Sequence, residues 1–252
     1  MPAFVHGKGT AVYINQFDMS EYLTSVETAF AQETADSTGF GSSSRSFIVG
    51  LQTATMGLSG MWSADATLGS DVVLESLLAS TTNTTTTVAM QGGTIGNRCI
   101  IMQSDEVSYN ISSPVGDIVS LTADFQASTN AESNMTYAAQ TGVQLTTGAS
   151  IAFGAVGNLT AVDNAASTAN GGMAALHVPV NSVAGGATTI KVQHSADNSS
   201  WADLITFTAV AAATVTSQLN TTAATVNRYL RATATTAGSS GAITFMVSFA
   251  RF

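Results

Sequence analysis

The sequence predicts an all-β protein with one short helix. Short segments with an apolar period of two recur along the chain, and clusters of Gly, Ser, Asn and Asp separate them. Thr, Ser, Asn and Gln supply most of the polarity, and Thr fits the pleated surface of a sheet. Only one segment, Asp71–Ala79, combines the apolar spacing of a helix with a capping residue, Ser70 or Asp71, and an acidic first turn.

The N-terminal half is predicted to be β-dominated around this helix. Its clearest strand is Phe47–Ser63, in which Met56, Leu58 and Trp62 fall on one face. Met19–Leu23 is predicted as a short helical turn, and Ser80–Thr87 as a break after the helix. The predicted strands of this half are Thr10–Asn15, Leu23–Thr34, Phe47–Ser63, Val88–Met90, Arg98–Gln103, Asp105–Ile111 and Asp117–Ala127.

A second β region is predicted after the segment Ser128–Gln140, which is polar, lacks periodicity and is interpreted as a linker or a long loop. Short strands at regular spacing favour an Ig-like or jelly-roll-like sandwich there. Its predicted strands are Ser150–Phe153, Ala174–Pro179, Thr188–His194, Leu204–Val210, Arg228–Ala234 and Ala242–Phe249. The sequence thus predicts two domains, residues 1–140 and residues 141–252.

Charge is sparse and unevenly distributed. Charged residues make up 9% of the chain, against roughly 25% in typical soluble domains. Because interface cores are depleted in charge, this composition favours assembly with other copies. The net charge is −9, with −10 in residues 1–140 and +1 in residues 141–252. Nucleic-acid-binding proteins usually carry a basic patch, and the sequence contains none.

The sequence predicts no catalytic residue, no metal site and no cofactor. His6, His177 and His194 are not at metal-binding spacings from another ligand. The single cysteine, Cys99, lies in an apolar strand and is predicted to be a buried small hydrophobe. Residues 1–8 lack the pattern of a signal peptide, and no apolar run is long enough to span a membrane. The enzyme class is therefore disfavoured.

One polar turn in the second half is a candidate surface site. Asp197 and Asn198 suit a turn between two strands, and Trp201 follows directly. An exposed indole there would stack on a sugar ring, which would indicate a carbohydrate-binding or adhesin-like module. The alternative is that Trp201 fixes the hairpin to the core, which is the commoner role of large aromatics.

The longest predicted loop is Ala35–Ser46, a small, polar and Gly-rich segment. From composition alone it is either a solvated surface loop or a contact element. We select seven candidate contact residues in and beside it. They are Asp36, Thr38, Gly39, Phe40, Gly41, Arg45 and Phe47.

Taken together, several segments resemble the major tail tube protein of a long-tailed, siphovirus-like bacteriophage. The similarity runs over roughly residues 9–128, where the helix Asp71–Ala79 is also placed as in that family. The second half resembles the extra domain that some such proteins carry, through IKVQHSADNSSWADLITF (Ile190–Phe207) and RYLRA (Arg228–Ala232). The segments of the first half that carry the resemblance are INQFDMSEYL (Ile14–Leu23), ADSTGFGSSSRSFIVGL (Ala35–Leu51), QTATMGLSGMW (Gln52–Trp62) and YNISSPVGDIVSLTADFQAS (Tyr109–Ser128).

The resemblance implies a fold and a role. It implies a tail-tube-type β-sandwich or barrel domain at residues 1–140, six copies of which close into a ring, and rings that stack into a hollow tube. The tube would conduct DNA into the host without binding it specifically. The loop would reach a neighbouring subunit or ring, and residues 141–252 would decorate the exterior, where host-surface glycans are possible ligands.

The same resemblance implies a virion location in the tail, after assembly in the host cytoplasm and with no membrane partner. The expected protein partners are other copies and the terminator, tape-measure and baseplate or distal tail proteins. A capsid decoration protein is the second alternative, beside the carbohydrate-binding module. The acidic N-terminal half suggests a negatively charged lumen that repels the DNA backbone.

Overall fold

The computed structural model describes residues 6–128, 138–153 and 157–252. Antiparallel strands dominate this part of the chain, which confirms the all-β prediction. The strands are β1 (Ala11–Ile14), β2 (Phe17–Asp18), β3 (Leu23–Asp36), β4 (Phe47–Met61), β5 (Thr84–Ala89), β6 (Arg98–Ser112), β7 (Ser120–Ala127), β8 (Ala139–Gln144), β9 (Ser150–Ala152), β10 (Val162–Asp163), β11 (Gly172–Asn181), β12 (Thr188–Ser195), β13 (Ala202–Thr206), β14 (Thr216–Thr222), β15 (Tyr229–Thr236) and β16 (Ala242–Arg251).

The described residues include a 3-10 turn at Gly7–Gly9 and one α-helix, α1 (Ser70–Leu78). The helix was predicted to carry a side-chain cap at Ser70 or Asp71, but its N-cap is Gly69 without a side-chain hydrogen bond. The Ser70 hydroxyl instead donates 2.8 Å to the Met61 carbonyl, which anchors the helix to the end of β4.

The chain divides into two compact units. The hairpin unit comprises Tyr22–Asn83 and Ser104–Ala139, and the sandwich unit comprises Met1–Glu21, Thr84–Gln103 and Gln140–Phe252. Strand β6 begins in the sandwich unit and ends in the hairpin unit. A contact unit is not by itself an independently folding domain, so the predicted boundary after residue 140 stays a prediction. Most of the predicted linker, residues 129–137, lies outside the described residues.

The hairpin unit is built on a four-stranded antiparallel sheet in the order β3-β4-β7-β6. One face is apolar and buried. Tyr109, which lies opposite the buried Ala123 in the register, donates a hydrogen bond to Asp71 of α1 and so places the helix on this face. The buried apolar side chains of the unit are Ala54, Met56, Leu58, Val73, Leu74, Leu77, Leu121, Ala123 and Phe125.

The sandwich unit contains two sheets that share one core. The larger has the order β14-β11-β16-β8-β6-β5-β1-β2, with β9 also on β16, and the smaller has the order β10-β15-β12-β13. Leu176 and Phe245 of the larger sheet and Val192 and Leu230 of the smaller sheet belong to a single buried cluster. The larger sheet curls, so that β2 and β5 also contact β11.

Several local predictions were wrong. Met19–Leu23 contains no helix, because Ser20–Tyr22 form a turn and the Ser20 hydroxyl accepts 3.0 Å from the Val12 N–H. Ser80–Thr87 was predicted to interrupt the fold, yet Thr84–Thr87 form the buried start of β5. The Thr86 hydroxyl donates 3.1 Å to the Met102 carbonyl, and such partners make the burial of hydroxyls possible.

The remaining differences concern strand limits. The predicted strands Arg98–Gln103 and Asp105–Ile111 are one continuous strand, β6. The predicted Leu204–Val210 is displaced toward the N-terminus as β13. Strands β2, β8, β10 and β14 were not predicted, since they are short or lack clear alternation.

Candidate functional site

The predicted contact loop lies at the tip of the hairpin between β3 and β4, and its neck is closed by hydrogen bonds. The Ser37 N–H donates 2.8 Å to the Ser46 carbonyl, and the Ser46 N–H donates 2.9 Å to the Thr38 hydroxyl. Hydrogen bonds from the Thr38 hydroxyl and N–H to the Asp36 carboxylate lower the pKa of Asp36. Asp36 and Thr38 therefore shape the loop from its base.

The tip of the loop presents an aromatic side chain and a cation to solvent. The Ser42 N–H donates 3.0 Å to the Gly39 carbonyl and so turns the chain around Phe40, which is fully exposed. Gly39 and Gly41 have open space where a Cβ would stand. The two ion pairs within the described residues, Lys191–Asp203 and Arg228–Asp163, do not include Arg45, which is also exposed.

The hairpin below the tip is an apolar arm. Every residue from 31 to 53 is exposed, because β7 pairs with β4 only from Thr55 onward. We call residues 31–53 the arm. Its strand β4 exposes 52% of Phe47, 62% of Ile48, 59% of Val49 and 77% of Leu51. Since successive strand residues point to opposite faces, both faces of this ribbon are apolar. A two-stranded ribbon of this kind is at best marginally stable alone in water.

The second face of the hairpin-unit sheet is polar. In β7 the buried residues alternate with exposed Thr122 and Asp124, and Glu27, Gly57 and Asp124 lie side by side across three strands. We call this the open face. By sequence, the hairpin unit holds 11 acidic residues and one basic residue, Arg45, for a net charge of −10. Since Arg45 is in the loop, no cation of this unit lies on the open face.

One edge of the same sheet is unpaired within the described residues, because strand β3 pairs only with β4. Strand β6, at the other side of the sheet, pairs with β7 over Ser104–Ser112 and also has β5 and β8 as neighbours. The edge of β3 presents a row of backbone N–H and C=O groups that a further strand can pair with.

The second predicted site, at Asp197, Asn198 and Trp201, is a tight turn in the sandwich unit. The Asp197 carboxylate accepts from the N–H groups of Ser199 and Ser200, and these bonds lower its pKa. Asn198 adopts a positive φ of 59°, as such turns require. The carboxylate is thus committed to the turn.

Trp201 is half-buried and already stacked. The guanidinium carbon of Arg231 lies 4.1 Å from the centre of its indole ring, while Arg231 donates two hydrogen bonds to Gln193. One face of the indole is therefore covered by a cation held in place. This arrangement favours the structural interpretation of Trp201 over a sugar-stacking platform.

The remaining chemically capable residues of the sandwich unit are buried in structural roles. His177 is fully buried, stacks on Tyr13 and donates through Nδ1 to the Asn15 carbonyl at 2.6 Å. Its Nε2 accepts from the Thr87 hydroxyl at 2.7 Å, and burial lowers its pKa to about 4. Burial likewise raises the pKa of the Cys99 thiol to about 12, so this thiol is not a nucleophile at neutral pH.

Glu106, which the sequence did not single out, is the most unusual carboxylate of the hairpin unit. It lies opposite Phe125 on the buried face, and neither of its oxygens has a hydrogen-bond partner in the described structure. Burial raises its pKa to about 8. The sequence shows only that Glu106 and Asp105 point to opposite faces of a strand.

Within residues 6–128, 138–153 and 157–252, no group of three metal-binding side chains comes together. No described helix has both the length and the hydropathy needed to cross a bilayer.

No protein-family model and no curated protein matches the sequence. The solved structures that are similar to this chain include the following three. The virion of a native gene transfer agent particle shares 14% identity over 50% of this chain and 95% of that chain, with a TM-score of 0.41. The tail of an empty gene transfer agent particle shares 14% identity over 50% and 96%, with a TM-score of 0.40. The Dit protein of SPP1, described as a hub adsorption apparatus of phages that infect Gram-positive hosts, shares 12% identity over 96% and 99%, with a TM-score of 0.38. At these identities and TM-scores, none of the three bears on the function of this chain.

Proposed function

We propose that this chain is a non-enzymatic structural protein of a bacteriophage virion that assembles into stacked six-membered rings and forms the tail tube. The observation that carries the proposal is the form of the hairpin unit. Its sheet has an unpaired edge at β3, one face closed by a helix, one polar face and a projecting apolar arm. The sequence resemblance to tail tube proteins supports the same role.

Ring closure would use the unpaired edge of β3. In the proposed ring, β3 of one copy pairs with the β6 side of the next, and six such pairings would join the sheets into one closed barrel. A closed barrel leaves no exposed edge, which removes the usual route to uncontrolled aggregation. The pairing is heterologous and closes by rotation, as a cyclic ring requires.

The open face is the proposed lumen surface. It carries Glu27 and Asp124 with hydroxyl side chains around them, and the hairpin unit provides no cation there. Phosphate groups would be repelled along such a wall, so DNA would pass without being captured. Residues 141–252, which form most of the sandwich unit and carry a net charge of +1, are the proposed exterior decoration domain.

The partners proposed for this role are other copies in the ring and the tail proteins at the two ends of the tube, namely the terminator and the baseplate or distal tail proteins, with the tape measure protein inside it. The proposed location is the tail of the virion, assembled in the host cytoplasm.

Deletion of residues 38–44 tests the proposal. The deletion removes the exposed tip and leaves the sheet intact, so the protomer should fold with an unchanged circular dichroism spectrum but fail to form tubes. A chain in which the same residues are replaced by a Gly-Ser segment of equal length serves as a control for loop length. Tubes of normal length from the deletion variant would contradict the proposal.

A further inference from the structure

The hairpin unit presents two exposed tips at opposite ends of its sheet. The arm tip, which is the loop of residues 37–46, lies next to Phe47, where β4 begins. The turn between β6 and β7 lies next to Met61, where β4 ends and pairs with Ser120. A strand of 15 residues spans roughly 50 Å. The two tips of one copy are therefore too far apart to touch each other.

The turn between β6 and β7 is exposed and apolar like the arm tip, but its charge is negative. Its exposed apolar side chains are Ile111 at 51%, Val115 at 107% and Ile118 at 57%. Among them stands the exposed Asp117, whose carboxylate accepts from the Ile118 N–H at 2.7 Å. We call residues 111–118 the turn patch. It combines apolar surface with a negative charge.

The arm tip carries the complementary charge. Arg45 is the one basic residue among the 12 charged residues of the hairpin unit by sequence. It lies in the same loop as the exposed Phe40 and forms no ion pair within the described chain. In an assembly of identical acidic units, a lone cation on an apolar tip is attracted to carboxylates of another copy.

We infer that the arm tip of one copy docks on the turn patch of a second copy, with Arg45 paired to Asp117 and Phe40 packed against Val115 and Ile118. Since the tips lie at opposite ends of the sheet, the contact is head-to-tail and each copy can make it twice. A contact of this kind does not close on itself but extends along one direction. The inference rests on the proposed tube function and identifies the contact that stacks one ring on the next.

Cysteine cross-linking tests the contact directly. In a Cys99→Ser background, Arg45→Cys combined with Asp117→Cys should give a ladder of disulfide-linked multimers on non-reducing gels after mild oxidation. The separation of the two tips excludes a bridge within one copy. Arg45→Cys combined with Ala66→Cys, another exposed position of the same unit, is the control and should stay largely monomeric. Equal ladders from both pairs, or none from the first, would overturn the inference.

Charge reversal separates this inference from the proposed function. Arg45→Glu and Asp117→Arg should each abolish tubes and leave single rings, and the double reversal should restore tubes. Rings and tubes that are unaffected by the single reversals would overturn the docking inference and leave the tube proposal standing. An intact chain that forms neither rings nor tubes and gives no disulfide ladder would overturn both.

Discussion

Thr38 and Ser46 face each other across the neck of the arm loop, where the Thr38 hydroxyl accepts a 2.9 Å hydrogen bond from the Ser46 N–H. The bond is exposed and local, so it orders the loop without stabilising the core. Contacts at an exposed loop contribute little to global stability but decide local opening.

Thr38→Val should therefore accelerate hydrogen exchange at the Ser46 amide several-fold, while the free energy of unfolding changes by less than about 0.5 kcal/mol. Hydrogen exchange measured by mass spectrometry on the dilute protomer checks the first statement, at the Ser46 amide. Urea unfolding of the same variant checks the second, the free energy of unfolding. The control is Thr24→Val, which removes an exposed hydroxyl that donates to the Ser59 carbonyl far from the loop. Unchanged exchange at Ser46 would show that the neck bond does not order the loop.

Gly60 is required where β4 passes the start of β3. A Cβ at this position would stand 2.4 Å from the Tyr22 carbonyl oxygen and 3.1 Å from the Leu23 Cα, both backbone atoms that cannot easily move. Gly60→Ala should lower the free energy of unfolding by about 1–3 kcal/mol through this overpacking. Gly39→Ala is the matched control, because nothing lies within 4 Å of its Cβ position. Urea unfolding of both variants tests this prediction. Equal unfolding midpoints for Gly60→Ala and Gly39→Ala would contradict it.

His177 should make stability fall in acid. Its pKa is lowered from 6.5 to about 4 in the folded chain, so the unfolded chain takes up the proton first as the pH falls. The contribution of neutral His177 to the free energy of unfolding is present above pH 6.5. It is lost as the pH falls from 6.5 to 4, by about 3 kcal/mol in total.

The variant His177→Gln should show a flatter dependence of the unfolding free energy on pH across that interval. It should also be less stable at pH 7, because it loses the stacking on Tyr13. The exposed Thr24 provides the control, since Thr24→Val removes no titrating group and should keep the wild-type slope. An equal slope in His177→Gln and wild type would refute the assignment.

Glu106 should destabilise the protomer at alkaline pH. Burial without a partner raises its pKa from 4.5 to about 8, so the unfolded chain loses the proton first as the pH rises. The stability that the neutral carboxyl retains below pH 4.5 is lost between pH 4.5 and pH 8. Glu106→Gln should raise the free energy of unfolding at pH 8.5 by about 1–3 kcal/mol and have little effect near pH 4.5. Urea unfolding at the two pH values checks this, and a uniform effect would argue against a charge penalty.

Local patterns predicted most of the strands but not the buried threonine strand. The second half of Phe47–Met61 and the strand Ala242–Arg251 carry apolar side chains at every second position, and the helix has a regular apolar stripe, so their prediction needed no distant partner. The tract Thr84–Thr87 is polar by sequence and is buried because its hydrogen-bonding partners come from far along the chain. The partner of Thr87, His177, is 90 residues away.

The position of the candidate contact loop could be predicted from the sequence, but the exposed apolar side chains beside it could not. The Gly-rich composition of Ala35–Ser46 placed the loop, and the structure describes it as Ser37–Ser46 between two strands. The exposure of Phe47, Ile48 and Leu51 was not predictable, because apolar residues in a strand normally indicate core. The opposite placement of the arm tip and the turn patch depends on the register of β4 with β7, which no local signal specifies.

Negative-stain imaging of the purified intact chain, after its size has been measured in solution, tests the tube proposal most directly. The proposal predicts hollow tubes, or six-membered rings with a central hole, that become more abundant as the concentration rises. A stable monomer or trimer at high concentration, with no rings, would contradict it and favour a decoration protein or a binding module.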